Sequence, residues 1–112
     1  MDNITFYEFL DKRKQSVTDE ILALSEEGRT DEANILKAKY NVYDIARSVY
    51  DASAKQTGAV ETAFPALFGK ITAPWKASLE VATTNGDDRK VLIEEAKLAA
   101  VAEINAGFAK LI

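Results

Sequence analysis

The chain has no cysteine and no histidine, and its 112 residues include only two prolines, five glycines, one methionine and one tryptophan. Those absences exclude disulfide frameworks, thiolate nucleophiles, zinc fingers, histidine-ligated haem and Ser-His-Asp triads. The ferritin-like di-iron site is excluded as well, because it needs Glu-x-x-His. The glycines are isolated, so neither G-x-G-x-x-G nor G-x-x-x-x-G-K cradles a phosphate. No acidic loop has EF-hand spacing. No apolar run approaches the roughly 18 residues that span a bilayer. The first residues mix Asp2, Glu8, Asp11 and the triplet Lys12-Arg13-Lys14 among apolar positions, which is unlike a signal peptide. The expected location is therefore cytoplasmic, and no metal or cofactor is expected. A net charge of −4 argues against nucleic acid as a partner, since phosphate binding needs clustered cations.

What remains is 47% hydrophobic and 29% charged, a globular mix of the size of one domain, taken as residues 1–112. Gly28, Gly58 and Asn85-Gly86 divide it into four parts of similar length, each glycine placed where a helix puts its left-handed terminal residue. Thr30 before Asp31 and Glu32, and Gly86 before Asp87 and Asp88, read as helix starts. Thr5 and Glu8 have capping-box spacing.

Within each part the apolar residues recur at helical intervals. Ile35, Ala38, Val42, Ile45, Val49 and Ala52 step by threes and fours without a gap, and Leu36, Tyr43, Ala46 and Tyr50 widen that seam. Phe6, Leu10, Val17, Ile21 and Leu24 form a similar stripe interrupted by Arg13. The last part aligns Ile93, Ala96, Ala100, Ile104, Phe108 and Leu111, with six alanines that favour helix. The third part aligns Val60, Phe64, Leu67, Ile71, Trp75, Ser78 and Ala82 but contains Pro65 and Pro74. A helix starting near Thr62 tolerates Pro65 in its first turn, whereas Pro74 in its interior costs about 3 kcal/mol if unrelieved. The expectation is an all-α, antiparallel up-and-down four-helix bundle, its third helix bent or broken near Pro74, either by a kink near Gly69 to Ala73 or by a second helix with Thr72 as its cap.

Chemistry is sparse. Only carboxylates, lysines and tyrosines are left for acid–base work. The groupings Asp19, Glu20, Glu26, Glu27 and Glu94, Glu95 read as solvated faces, since neighbours on a helix point about 100° apart. Arg13 either snorkels from a bundle edge or is a buried charge that pairs or anchors an anion. Tyr7, Phe9 and Tyr40 fall off the stripes and would mark a protein surface if exposed together. The leading expectation is a non-catalytic helical interaction or assembly module with a protein partner or self-association. The alternative is a binder of a small apolar or lipid-like ligand, held by Phe64, Phe68, Trp75, Tyr43 and Tyr50 with Arg13 nearby. An enzyme is the least favoured reading.

Overall fold

The computed structural model describes residues 2–56 and 59–112, and it contains four long helices packed on one another. They are α1 (Asn3–Glu26), α2 (Thr30–Ala54), α3 (Val60–Thr84) and α4 (Asp88–Leu111). Among the described residues there is no strand.

The glycine punctuation is realised in detail at two of the three breaks; Gly58 lies outside the described residues. Gly28 has φ 77° and Gly86 has φ 68°. In each case the glycine N–H donates three residues back, to the carbonyl of Ser25 or Thr83, and the next N–H donates to Leu24 or Ala82. Both ends are thus Schellman motifs, which need the left-handed conformation that glycine adopts without a Cβ clash. At the starts, Asp87 caps α4 by accepting from the Lys90 amide at 3.2 Å. The cap of α1 is Asp2, which accepts from the Ile4 amide at 2.9 Å. The Thr5–Glu8 box is therefore not a helix start, because the helix begins a turn earlier and Thr5 donates back to Asp2. Likewise Arg29 rather than Thr30 is the capping position of α2, and it makes no side-chain cap bond.

Cross-helix pairs fix the topology. Tyr7 donates to Asp51, and Asp11 and Lys14 pair with Arg47 and Asp44 at 3.9 and 2.6 Å, so α1 and α2 run antiparallel. Tyr43 and Lys39 of α2 reach Glu103 of α4, and Tyr50 meets Phe108, so these two run parallel. Phe64 stacks on Phe108 and Lys97 lies over Trp75, making α3 and α4 antiparallel. This is the expected up-and-down order. The bundle is not square: the α2 and α4 backbones pack closely across the diagonal, α1 approaches α4 only slightly, and α1 and α3 stay apart. The molecule is accordingly flattened, 45 × 33 × 20 Å.

Four rings close one end. Phe6 of α1, Tyr50 of α2, Phe64 of α3 and Phe108 of α4 lie with their ring centroids 4.6 to 6.5 Å apart in every pairing. All four are buried. The buried stripe of α2 is rotated from the expected seam toward Tyr43, Ala46, Tyr50 and Ser53, while Ala52 is exposed and Ile35 and Ile45 are half-buried. Packing against three neighbours at once turns the larger tyrosines inward.

Of the two arrangements expected for the third helix, the break is absent. α3 is continuous from Val60 to Thr84, through both prolines. Thr72 does not cap a second helix; it is buried, and its hydroxyl donates to the Phe68 carbonyl at 2.9 Å. Pro65 and Pro74 both face solvent, as does Lys70, whose carbonyl loses its donor to Pro74. Water can satisfy a carbonyl on that side, which is why the helix persists. Pro74→Ala should therefore be stabilising, by no more than about 3 kcal/mol, read as a shift of the urea midpoint. A destabilised variant would show that the proline is accommodated by something other than solvation of its exposed face.

Candidate functional site

The residues singled out in the sequence do not converge on one ligand site. Phe64, Phe68 and Tyr50 belong to the filled core, with Phe64 stacked on Phe68 at 5.1 Å. Trp75 is half-buried on the outer part of α3, with the Lys97 ammonium 4.3 Å above its ring. Arg13 is exposed at the bundle edge, and its guanidinium lies over the Phe9 ring at 5.8 Å. Tyr43 is fully buried, with its hydroxyl donating to Glu103.

Nor do Tyr7, Phe9 and Tyr40 form a free aromatic patch. All three are half-buried against the core, and each carries a cation on its face: Arg47 over Tyr7 at 4.3 Å, Arg13 over Phe9, Lys14 over Tyr40 at 5.2 Å. Gly107 of α4 sits directly beneath the Phe9 ring, which occupies the space that a Cβ would need. Together with Phe6 against Phe108, this is where α1 and α4 touch.

Beyond that contact the two helices diverge, and a line of depressions follows their seam over α2. Nearest the closed end is a cleft of about 410 Å³ bounded by Phe9, Arg13, Ala106, Gly107, Lys110 and Leu111. A polar crevice of about 70 Å³ follows, where Arg13, Glu20, Lys39, Tyr43 and Glu103 meet. The largest, about 650 Å³, lies at the far end, walled by Ala23 and Leu24 of α1, Leu92 of α4, and Ile35 and Leu36 of α2, with Glu20, Arg29 and Glu32 around it. Leu92 is 51% exposed. No sequence signal marks this cleft, because Leu24, Ile35 and Leu36 belong to ordinary helical stripes; only the divergence of α1 from α4 leaves them uncovered.

Two buried polar features remain. Glu94, 6% exposed, receives Lys97 at 3.3 Å through one carboxylate oxygen, and the other oxygen has no partner among the described residues. Its sequence neighbour Glu95 is exposed, so the doublet divides between core and solvent. Tyr43 is held well above the usual phenol value of 10.0, first by burial and then by its hydrogen bond to Glu103. Tyr50 is raised by burial too, and Tyr7 chiefly by its bond to Asp51. These phenols act as protonated donors at neutral pH. Among the described residues no group of three or more acidic side chains is placed to hold a metal ion.

Comparisons with protein-family models, curated proteins and solved structures find no match. No helix of the described residues is long and apolar enough to cross a membrane.

Two outcomes follow from the buried groups. Lys97→Met should cost about 3 kcal/mol, because it leaves Glu94 buried without a cation, whereas Glu94→Leu should be neutral or stabilising. Denaturation of both variants decides: equal losses would mean that Glu94 stabilises by its charge rather than merely tolerating burial. The raised tyrosines bind their protons more tightly in the folded than in the unfolded chain. Their stabilisation is complete below about pH 10 and is lost as pH rises from there through the folded values. The urea midpoint should fall above about pH 10, and Tyr43→Phe should flatten that fall; an unchanged slope would remove Tyr43 from the account.

Proposed function

We propose that the chain is a non-catalytic helical interaction module whose working surface is the seam between α1 and α4. The observation that supports this reading is the unequal closure of the bundle. One end is sealed by four interlocked rings, while the other leaves Leu24, Ile35, Leu36 and Leu92 around an open cleft of about 650 Å³. Apolar surface held open on a rigid scaffold is a common property of binding faces. The module is proposed to act in the cytoplasm, on a protein partner or on further copies of itself.

A small apolar or lipid-like ligand is the second reading, and the cleft volume is what favours it, since ligand pockets span roughly 300–1,000 Å³. Such pockets enclose most of their ligand, however, and this cleft is open along one side, a shape better suited to an extended partner.

Native mass spectrometry of freshly purified protein tests the choice. A multiple of the 12.3 kDa chain mass, or a stoichiometric complex with one protein of the source cells, supports the module. A monomer carrying a small added mass favours the ligand reading. A bare monomer that forms no complex in its own cell extract defeats the proposal.

A further inference from the structure

Charge is distributed unevenly along the bundle. The loops joining α1 to α2 and α3 to α4 lie at the same end, where Arg89 approaches Asp31 at 3.9 Å. The half of the bundle around those loops, residues 19–37 and 76–97, carries eleven acidic and six basic side chains, a net charge of −5. The remainder carries seven acidic and eight basic, a net charge of +1. The acidic half is also the half with the open apolar cleft.

The charges at the cleft follow the same sign. Arg29 is already taken by Glu27 at 3.1 Å and by Glu32. Glu20, at the junction between the polar crevice and the large cleft, makes no ion pair among the described residues. The walls follow helical spacing: Glu20, Ala23 and Leu24 on α1 and Glu32, Ile35 and Leu36 on α2 step by three and four. Ridges at that spacing leave a groove that accepts the ridges of another helix, the geometry by which amphipathic helices seat in apolar grooves.

We infer that the α1–α4 cleft docks a basic amphipathic helix of a partner protein, whose apolar side chains at i, i+3/i+4 and i+7 cover Leu24, Ile35, Leu36 and Leu92 while flanking Lys or Arg side chains face Glu20 and the acidic half. This rests on the interaction-module reading and deepens it by stating the partner's chemistry. A second copy of the chain fits the cleft less well. Two copies meeting through this face would bring together two half-bundles of net charge −5 each, with Glu20 and Glu32 of both copies at the contact, and like charges facing across an interface disfavour it.

The test uses two synthetic 18-residue peptides with the same leucine pattern at i, i+3, i+4 and i+7, one filled with Lys and one with Glu. Each is titrated into ¹⁵N-labelled full-length protein at low and moderate salt. The Leu/Lys peptide should saturate, weaken as salt rises, and shift the amides of Ala23, Leu24, Ile35, Leu36 and Leu92; the Leu/Glu peptide should bind at least about tenfold more weakly. Glu20→Lys and Leu92→Ser, both at exposed positions, should each weaken Leu/Lys binding by about fivefold or more. Glu80→Lys, which changes the net charge of the acidic half as much as Glu20→Lys does but lies on α3, should weaken it by less than about twofold. Equal binding of the two peptides, shifts that map elsewhere, or an equal effect of Glu80→Lys and Glu20→Lys would overturn the proposal. So would concentration-dependent shifts of the cleft amides in the protein alone, which would make a second copy the occupant and leave the interaction module itself standing. No binding of either peptide, together with a bare monomer in native mass spectrometry, would end both readings.

Discussion

The architecture depends on a layer of four rings contributed one from each helix: Phe6, Tyr50, Phe64 and Phe108. Aromatic side chains bury more area than any others, and offset or edge-on ring pairs add to that burial. Because α1 and α3 do not approach through their backbones, the 5.3 Å contact between Phe6 and Phe64 joins them across the bundle. The tyrosine in the layer also keeps its polar end satisfied, donating to Asn3 at 2.7 Å. Where the rings stop, the mutual attraction of all four helices stops with them. The distal half, residues 19–37 and 76–97, has no aromatic residue and buries the alanines Ala33 and Ala82 in place of rings.

That imbalance explains the cleft. Small buried residues let some helix pairs close tightly, but four helices cannot all close on small residues at once. α4 keeps its contact with α2 and α3, and α1 stays on α2 through Tyr7–Asp51, Asp11–Arg47 and Lys14–Asp44. The pair that gives way is α1–α4, held near Phe9 and Gly107 and open thereafter. Leucines and isoleucines of the correct period are then left lining a groove rather than filling a core. The same divergence leaves room for the polar crevice in which Tyr43, Lys39 and Glu103 satisfy one another.

Much of the fold was legible in the sequence, and the reasons for the exceptions are physical. Helix periods and the glycine stops at Gly28 and Gly86 are local properties, and they came through intact. The face of α2 that turns inward differs from the expected seam because a wide stripe admits several rotations, and only the neighbours choose among them. A break at Pro74 is what propensity alone suggests, because propensity does not include the solvation of the face on which the proline lies. Tyr7, Phe9 and Tyr40 looked like surface candidates because their covering cations come partly from other turns and other helices. Phe64, Phe68 and Tyr50, expected to hold an apolar ligand, pack on one another in the core.

The cleft and its charge differ in how far a sequence can disclose them. The cleft arises from the angle between two helices, which no local pattern encodes. The charge asymmetry was available from the start, since an up-and-down order already assigns each half-helix to one end, and summing by end rather than along the chain exposes it. Taken along the chain, Asp19, Glu20, Glu26 and Glu27 are a solvated helix face. Taken by end, they join Asp31, Asp87 and Asp88 in the half of the bundle that holds the open groove, and an acidic half with Glu20 and Glu32 at the groove itself selects what can cover it. Hydrophobic contact supplies affinity for any helix of suitable shape, whereas the sign of the rim discriminates between basic and acidic ones. The Glu20 carboxylate, placed where polar crevice and apolar cleft meet and without an ion pair among the described residues, is where those two requirements fall on a single residue.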